Sequence, residues 1–287
     1  MLENEFFKKV ENYIFNLFKT ELPPEVVYHN FEHTNQVVQH AFEIGVAEGF
    51  EDNDLEMILL ASWFHDIGFV KGYEKHEEKS KEIAEKYLLE VGYPLENIAI
   101  VKSLICVTKM PQKPTNKMEE IICDADLYHL GTENFREKTI LLRSEWEQLC
   151  NKNLNDVEFL TENEKFLKAH KYFTNYAFSK LTEQKNLNWL RVQKDLKKTL
   201  VKNKELEEKN KLKKAELKLK KEKSDRPNKS KYIPKAFIIL KHTNIKPQKF
   251  FESVSPKKLC PRNPWELFSA ALRTRGGLEQ QMPLWPV

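Results

Sequence analysis

The chain has 287 residues, of which 40% are hydrophobic, 31% charged and 11% aromatic. That is enough for one sizeable core with appendages, and the aromatic share argues against global disorder. No apolar run reaches the roughly 18 residues of a membrane span, and the charged start MLENEFFKKV lacks the layout of a signal peptide.

The net charge of +4 is unevenly spread. Residues 201–223 hold ten lysines and five glutamates, so the rest of the chain is close to neutral. Nucleic-acid binding through that segment is disfavoured, because it has no aromatic side chain to stack on bases. The four cysteines, Cys106, Cys123, Cys150 and Cys260, form no CxxC pair, and free thiols in a reducing cytoplasm are expected.

Proline and glycine punctuate the chain. No proline lies between Pro114 and Pro227 and no glycine between Gly131 and Gly276, while eight of the thirteen prolines fall at or after Pro227. A long helical middle is expected, followed by a segment of different character.

The first predicted helix carries Phe6, Phe7, Val10, Ile14, Leu17 and Phe18 at helical spacing and stops at Pro23-Pro24. A second runs from about His33 to Glu48 with Val37, Val38, Ala41 and Ile44 on one face. The third, capped by Asp52 or Asp54, is strongly apolar and ends in Trp63-Phe64-His65-Asp66 near Gly68. A fourth covers about Lys75 to Val91. The fifth has Pro94 at its first turn and an apolar face of Ile98, Val101, Leu104 and Ile105. The sixth contains Asp124-Ala125-Asp126 and ends at Gly131. Two more helices are expected over about 133–149 and 156–182. With no alternating strand before residue 230, the class is all-α, with seven to nine helices in the body.

Beyond Asn186 a lysine-rich helix follows, with Leu187, Leu190, Leu196, Leu200, Leu206, Leu212 and Leu217 at irregular spacing. A solvated extension is the favoured reading, and a weak coiled-coil homo-oligomer the alternative. Residues 226–287 show no assignable period and read as a low-order tail. The expected division is 1–182, 183–225 and 226–287.

Six of the eight histidines lie in the first 130 residues: His29, His33, His40, His65, His76 and His129. His65-Asp66 ends the most apolar helix, where a carboxylate needs a partner, and a divalent cation is one such partner. His29 and His33 stand four apart at a helix entry. Asp124 and Asp126 place carboxylates inside an apolar helix. His76 follows the His65-Asp66 turn closely enough to fold back over the same pocket. Such a mixed nitrogen and oxygen set suits a borderline or hard divalent metal.

These motifs resemble the HD-domain superfamily of metal-dependent phosphohydrolases, whose order is His, His-Asp, Asp on an all-helical bundle. The resemblance covers roughly residues 1–180 and implies metal ligands at His33, His65, Asp66 and Asp126. Asp126 is preferred to Asp124 because it precedes Leu127, which resembles the Ala-Asp-x-Leu context common in the family. The segment YHNFEH (28–33) is also similar to a cyclic-nucleotide phosphodiesterase motif, which implies that His29 acts as general acid. His76 matches the first extra histidine of binuclear members, but the fifth helix supplies no further one, so a single metal is expected. His76 then becomes a phosphate contact or a support to the metal ligands.

The implied activity is hydrolysis of a phosphoester or phosphoanhydride in a nucleotide-like or cyclic-nucleotide-like substrate, with His29 and Asp66 catalytic. The chemistry agrees, because a divalent ion polarises a phosphoryl group and acidifies water, and a placed acid protonates the leaving oxygen. Lys71 and Lys109 are candidate phosphate contacts, with solvated surface lysine the competing reading. Manganese, magnesium, iron, cobalt, nickel and zinc all suit the ligands. The rival function is an HD fold used as a ligand-sensing or interaction module in nucleotide signalling.

Overall fold

The structure, a computed structural model, describes residues 4–150 and 153–224. Among the described residues all regular structure is helical: α1 (Glu5–Glu21), α2 (Phe31–Ala47), α3 (Asp52–Phe64), α4 (His76–Glu90), α5 (Leu95–Val107), α6 (Lys117–Asp126), α7 (Phe135–Leu149), α8 (Asp156–Ala169) and α9 (Asn175–Ser224). Short 3-10 turns at Ile67–Lys71 and Tyr128–Gly131 follow α3 and α6. The all-α expectation holds. No described helix is long and apolar enough to cross a membrane.

The helices form where pattern and caps agree. In α1 the Asn4 side chain accepts from the Phe7 amide at 2.8 Å, and Phe7, Val10, Ile14 and Phe18 make one buried stripe. Asn30, Asn116 and Asn155 cap α2, α6 and α8 in the same way. Helix α3 has no polar face to speak of: every residue from Met57 to Phe64 is buried. It touches α1, α2, α4, α5 and α6, so the end of the most buried helix, where His65-Asp66 sits, lies deep among its neighbours.

Several boundaries differ from the sequence pattern. Glu51, not Asp52 or Asp54, is the N-cap of α3, and it makes no side-chain cap bond; Asp52 and Asp54 lie in the first turn, where they favour the helix dipole. The 156–182 helix is two helices, broken at residues 170–174. The break has a tertiary cause. Buried Asp124 accepts from the Phe173 amide at 3.0 Å, and from the Thr174 amide and hydroxyl at 2.8 Å each, while the Thr174 hydroxyl accepts from Ala177 as cap of α9.

The first compact unit takes in the described residues up to Lys204. Its part of α9 buries Ala177, Leu181, Lys185, Asn188 and Val192, so the packed face extends past the boundary expected at residue 182. The Asn188 side-chain amide donates to the carbonyls of Leu130 and Thr132 at 3.0 and 2.7 Å. The second unit begins at Glu205, and its side chains through Glu222 are exposed. The tail expected at 226–287 lies outside the described residues.

Two glycines are required by close approach. A Cβ on Gly68 would fall 2.0 Å from the His76 carbonyl oxygen, and one on Gly131 would fall 2.5 Å from Leu181 Cβ. Gly68 thus lets the turn after His65-Asp66 lie against the start of α4. The Gly68 amide donates to Ser80 Oγ at 2.8 Å, which fixes His76 relative to Asp66.

Candidate metal centre

Three helix ends meet at one point. The first turn of α2 brings His33, the end of α3 brings His65 and Asp66, and the last residue of α6 is Asp126. All four are between 1% and 7% exposed, so their polar atoms must find partners within the protein or in a bound ion. His33 Nε2 is 3.4 Å from Asp66 Oδ2 and 3.5 Å from Asp126 Oδ1. His65 Nε2 is 3.0 Å from Asp66 Oδ2 and 3.7 Å from Asp126 Oδ1. The ligand atoms of His33, His65 and Asp66 all lie within 4.8 Å of one another.

The His65 tautomer is set by the backbone. Its Nδ1 sits 2.8 Å from the Ser62 carbonyl and donates to it, which leaves Nε2 as a lone pair pointing into the cluster. Among the described residues, the buried His33 Nε2, His65 Nε2 and Asp66 Oδ2 find no hydrogen-bond partner, although they crowd one another at ion-pair distances. Lone pairs facing a carboxylate at such range need a proton or a cation between them. Burial would lower the His65 pKa, but Asp66 and Asp126 overcome it and push it up to about 9. Burial would raise Asp66, and the neighbouring His65, His29 and His33 hold it well below the carboxylate range instead. This environment attracts positive charge, and the donor set fits a divalent metal.

His29 sits beside this cluster on the segment before α2. Its Nδ1 pairs with Glu145 Oε1 at 2.5 Å, and Glu145 Oε2 accepts from the Tyr28 and His29 amides at 2.9 and 3.2 Å. Glu145, on α7, is fully buried. Burial opposes both charges, yet the pairing prevails: His29 is raised and Glu145 lowered, so the imidazole holds its proton. Phe69 stacks on His29 at 4.3 Å and on His76 at 4.1 Å, an apolar ring packed against both imidazoles, which are 6.3 Å apart.

His76 donates through Nδ1 to the Tyr73 carbonyl at 3.1 Å and turns Nε2 toward Asp66 Oδ1 at 3.9 Å and Glu77 Oε1 at 3.7 Å. Burial lowers its pKa, only partly offset by Asp66 and Glu77. The structure therefore gathers His29, His33, His65, Asp66, His76 and Asp126. It does not gather Lys71 or Lys109. Both are exposed, and among the described residues no ion pair or hydrogen bond links either ammonium to the cluster.

Asp124 faces away from the centre, toward Phe173 and Thr174 as above, which leaves Asp126 as the carboxylate of this helix near the histidines. Two polar neighbours were not singled out in the sequence. Glu145 carried a signal, since it lies on the apolar stripe of Phe135, Thr139, Leu142 and Trp146. Gln112, whose Nε2 donates to Asp126 Oδ2 at 3.1 Å, sits in a loop and carried none.

A crystal structure of a predicted HD superfamily hydrolase from an uncultured Thermotogales bacterium aligns with 69% of this chain and 95% of its own, at 20% identity and a TM-score of 0.47. No curated protein matches the chain. Residues 30–131 match the family model of the HD domain, a span that opens at the cap of α2, includes His33, His65, Asp66 and Asp126, and closes at Gly131. Residues 30–131, within the helical body, are therefore the part of this chain that is similar to HD domains.

Proposed function

We propose that the protein is a divalent-metal-dependent phosphohydrolase acting on a nucleotide-like or cyclic-nucleotide-like phosphoester or phosphoanhydride. The HD domain supports metal-dependent hydrolysis in general; the phosphoester class rests on the chemistry of the neighbouring residues. The observation that carries the reading is the convergence of three orphaned buried atoms, His33 Nε2, His65 Nε2 and Asp66 Oδ2, with Asp126 Oδ1 beside them.

In this reading His33, His65, Asp66 and Asp126 hold one divalent ion. Such an ion supplies Lewis-acid polarisation of a phosphoryl group and acidifies water. Asp66 adds an acceptor: with Oδ2 turned to the histidines, Oδ1 on the His76 side can take the proton of an attacking water. His29 donates the proton that the leaving alkoxide needs. Its Nδ1 is committed to Glu145, so the proton it gives is the one on Nε2. Glu145 keeps that imidazole charged and correctly turned before transfer. Phe69, packed on His29 and His76, excludes water from the side of the acid. Neutral His76, with Nε2 toward the pocket, supports a non-reacting phosphate oxygen or the Asp66 carboxylate. The reading places the enzyme in the cytoplasm, on the spacing of its cysteines.

The test is phosphate or nucleoside-product release from a panel of nucleotides, cyclic nucleotides and simple phosphoesters with manganese or magnesium. Turnover that needs the metal and disappears in Asp66→Asn is the expected result. Folded, metal-loaded protein that turns over none of the panel sinks the enzyme reading and leaves a ligand-sensing module.

A further inference from the structure

The two oxygens of Asp126 are divided. Oδ1 faces His33 Nε2 and His65 Nε2 at 3.5 and 3.7 Å, while Oδ2 accepts from Gln112 Nε2 at 3.1 Å. Asp66 differs, since both its oxygens are turned to imidazoles, Oδ2 to His33 and His65 and Oδ1 to His76. The Gln112 hydrogen bond thus helps fix the rotation of the Asp126 carboxylate, on the last residue of α6, about its terminal bond.

Gln112 belongs to the loop between α5 and α6, and that loop is fastened at both ends. Thr108 Oγ1 donates to the Ile105 carbonyl at 2.9 Å. At the far end the Thr115 amide and hydroxyl donate to Glu119 Oε2 at 2.6 and 2.9 Å, and Asn116 caps α6 through the Glu119 amide at 3.1 Å. The loop is thus anchored on the same helix that carries Asp126. A carboxylate only accepts, so the carboxamide must present its nitrogen to Asp126. Its Oε1 is buried and has no partner among the described residues. A side chain serving the fold alone would normally satisfy both ends of a buried amide; here the one bond made is the one to Asp126.

We propose that Gln112 is a positioning residue for the metal centre, its carboxamide holding Asp126 so that Oδ1 faces the ion bound with His33, His65 and Asp66. The inference rests on the metal-centre reading above. A neutral donor suits this task, because an amide orients a carboxylate without cancelling the charge that a cation requires, as a lysine or arginine would.

The experiment is calorimetric titration of the chelator-stripped full chain with Mn2+, alongside the Tm of the metal-free protein. The proteins are wild type, Gln112→Met, Gln112→Asn and Asp66→Asn. Methionine keeps the length and loses the donor; asparagine keeps the donor and is one methylene too short. Both Gln112 variants are expected to raise the Mn2+ dissociation constant about 10-fold or more, with the metal-free Tm unchanged. Affinity within about twofold of wild type in both variants, whatever their Tm, overturns the assignment. Wild type that binds no Mn2+, or Asp66→Asn that binds as tightly as wild type, overturns the metal centre itself and the role of Gln112 with it.

Discussion

His29 and Glu145 are 116 residues apart and both buried, yet they meet at 2.5 Å. In the proposed reaction, leaving-group protonation would depend on this pair, because a lone imidazole in that setting would be driven neutral by burial. Glu145→Gln keeps the shape and the contact to the Tyr28 and His29 amides but removes the charge. In the proposed enzyme kcat is expected to fall about 100-fold, with Mn2+ affinity unchanged. Unchanged kcat in that variant would remove His29 as the acid. The histidines and aspartates of this site were legible in the sequence, because a carboxylate on an apolar helix calls for a partner wherever it occurs. Glu145 was equally legible in principle, being an acid on the buried face of α7. Its partner was not, since nothing local ties α7 to the segment before α2.

At the level of elements, the turn at Ile67–Lys71 crosses the start of α4 so closely that Gly68 has no room for a methyl group. Gly68→Ala is expected to destabilise the fold by about 3 kcal/mol, because the obstacles are the backbone of His76 and Ser80, which cannot swing aside as a side chain can. A urea midpoint equal to that of wild type would contradict this. The same crossing sets His76 against Asp66, so the variant also tests whether that geometry matters to turnover. Helices α1 to α6 could be read from apolar period and from proline and glycine stops, while the Asn side chains that cap α1, α2 and α6 were not anticipated. The break between α8 and α9 could not. No glycine or proline marks it, and Asp124, some fifty residues earlier, draws the Phe173 and Thr174 amides out of helix.

Across the whole molecule, two partly buried histidines away from the metal centre, His170 and His40, add acid sensitivity to the fold, unlike His29 and His65, whose pKa values are raised. Burial lowers His170 to about 3, helped by Lys185, whose ammonium lies 3.5 Å from its Nδ1; Phe166 and Tyr172 are the rings packed around it. His40, stacked on Tyr128, is lowered by burial to about 4 although Glu43 opposes it. These groups stay neutral in the fold and become charged in the unfolded chain. At these two histidines the unfolded state binds more protons below about pH 6.5, so their contribution to stability falls as pH drops from there toward 4. His170→Gln is expected to flatten that decline in urea midpoint; an identical slope would show that His170 does not contribute.

The sequence by itself determined the helical class, the approximate positions of most helices and stops, and which residue types carry the chemistry, because apolar period, proline and glycine punctuation and the cost of burying charge act over a few residues. Tertiary structure decided which of Asp124 and Asp126 turns to the histidines, what holds His29, that Gln112 reaches Asp126 and that Lys71 and Lys109 stay outside. Those outcomes depend on contacts between segments far apart in the chain, which no local pattern records.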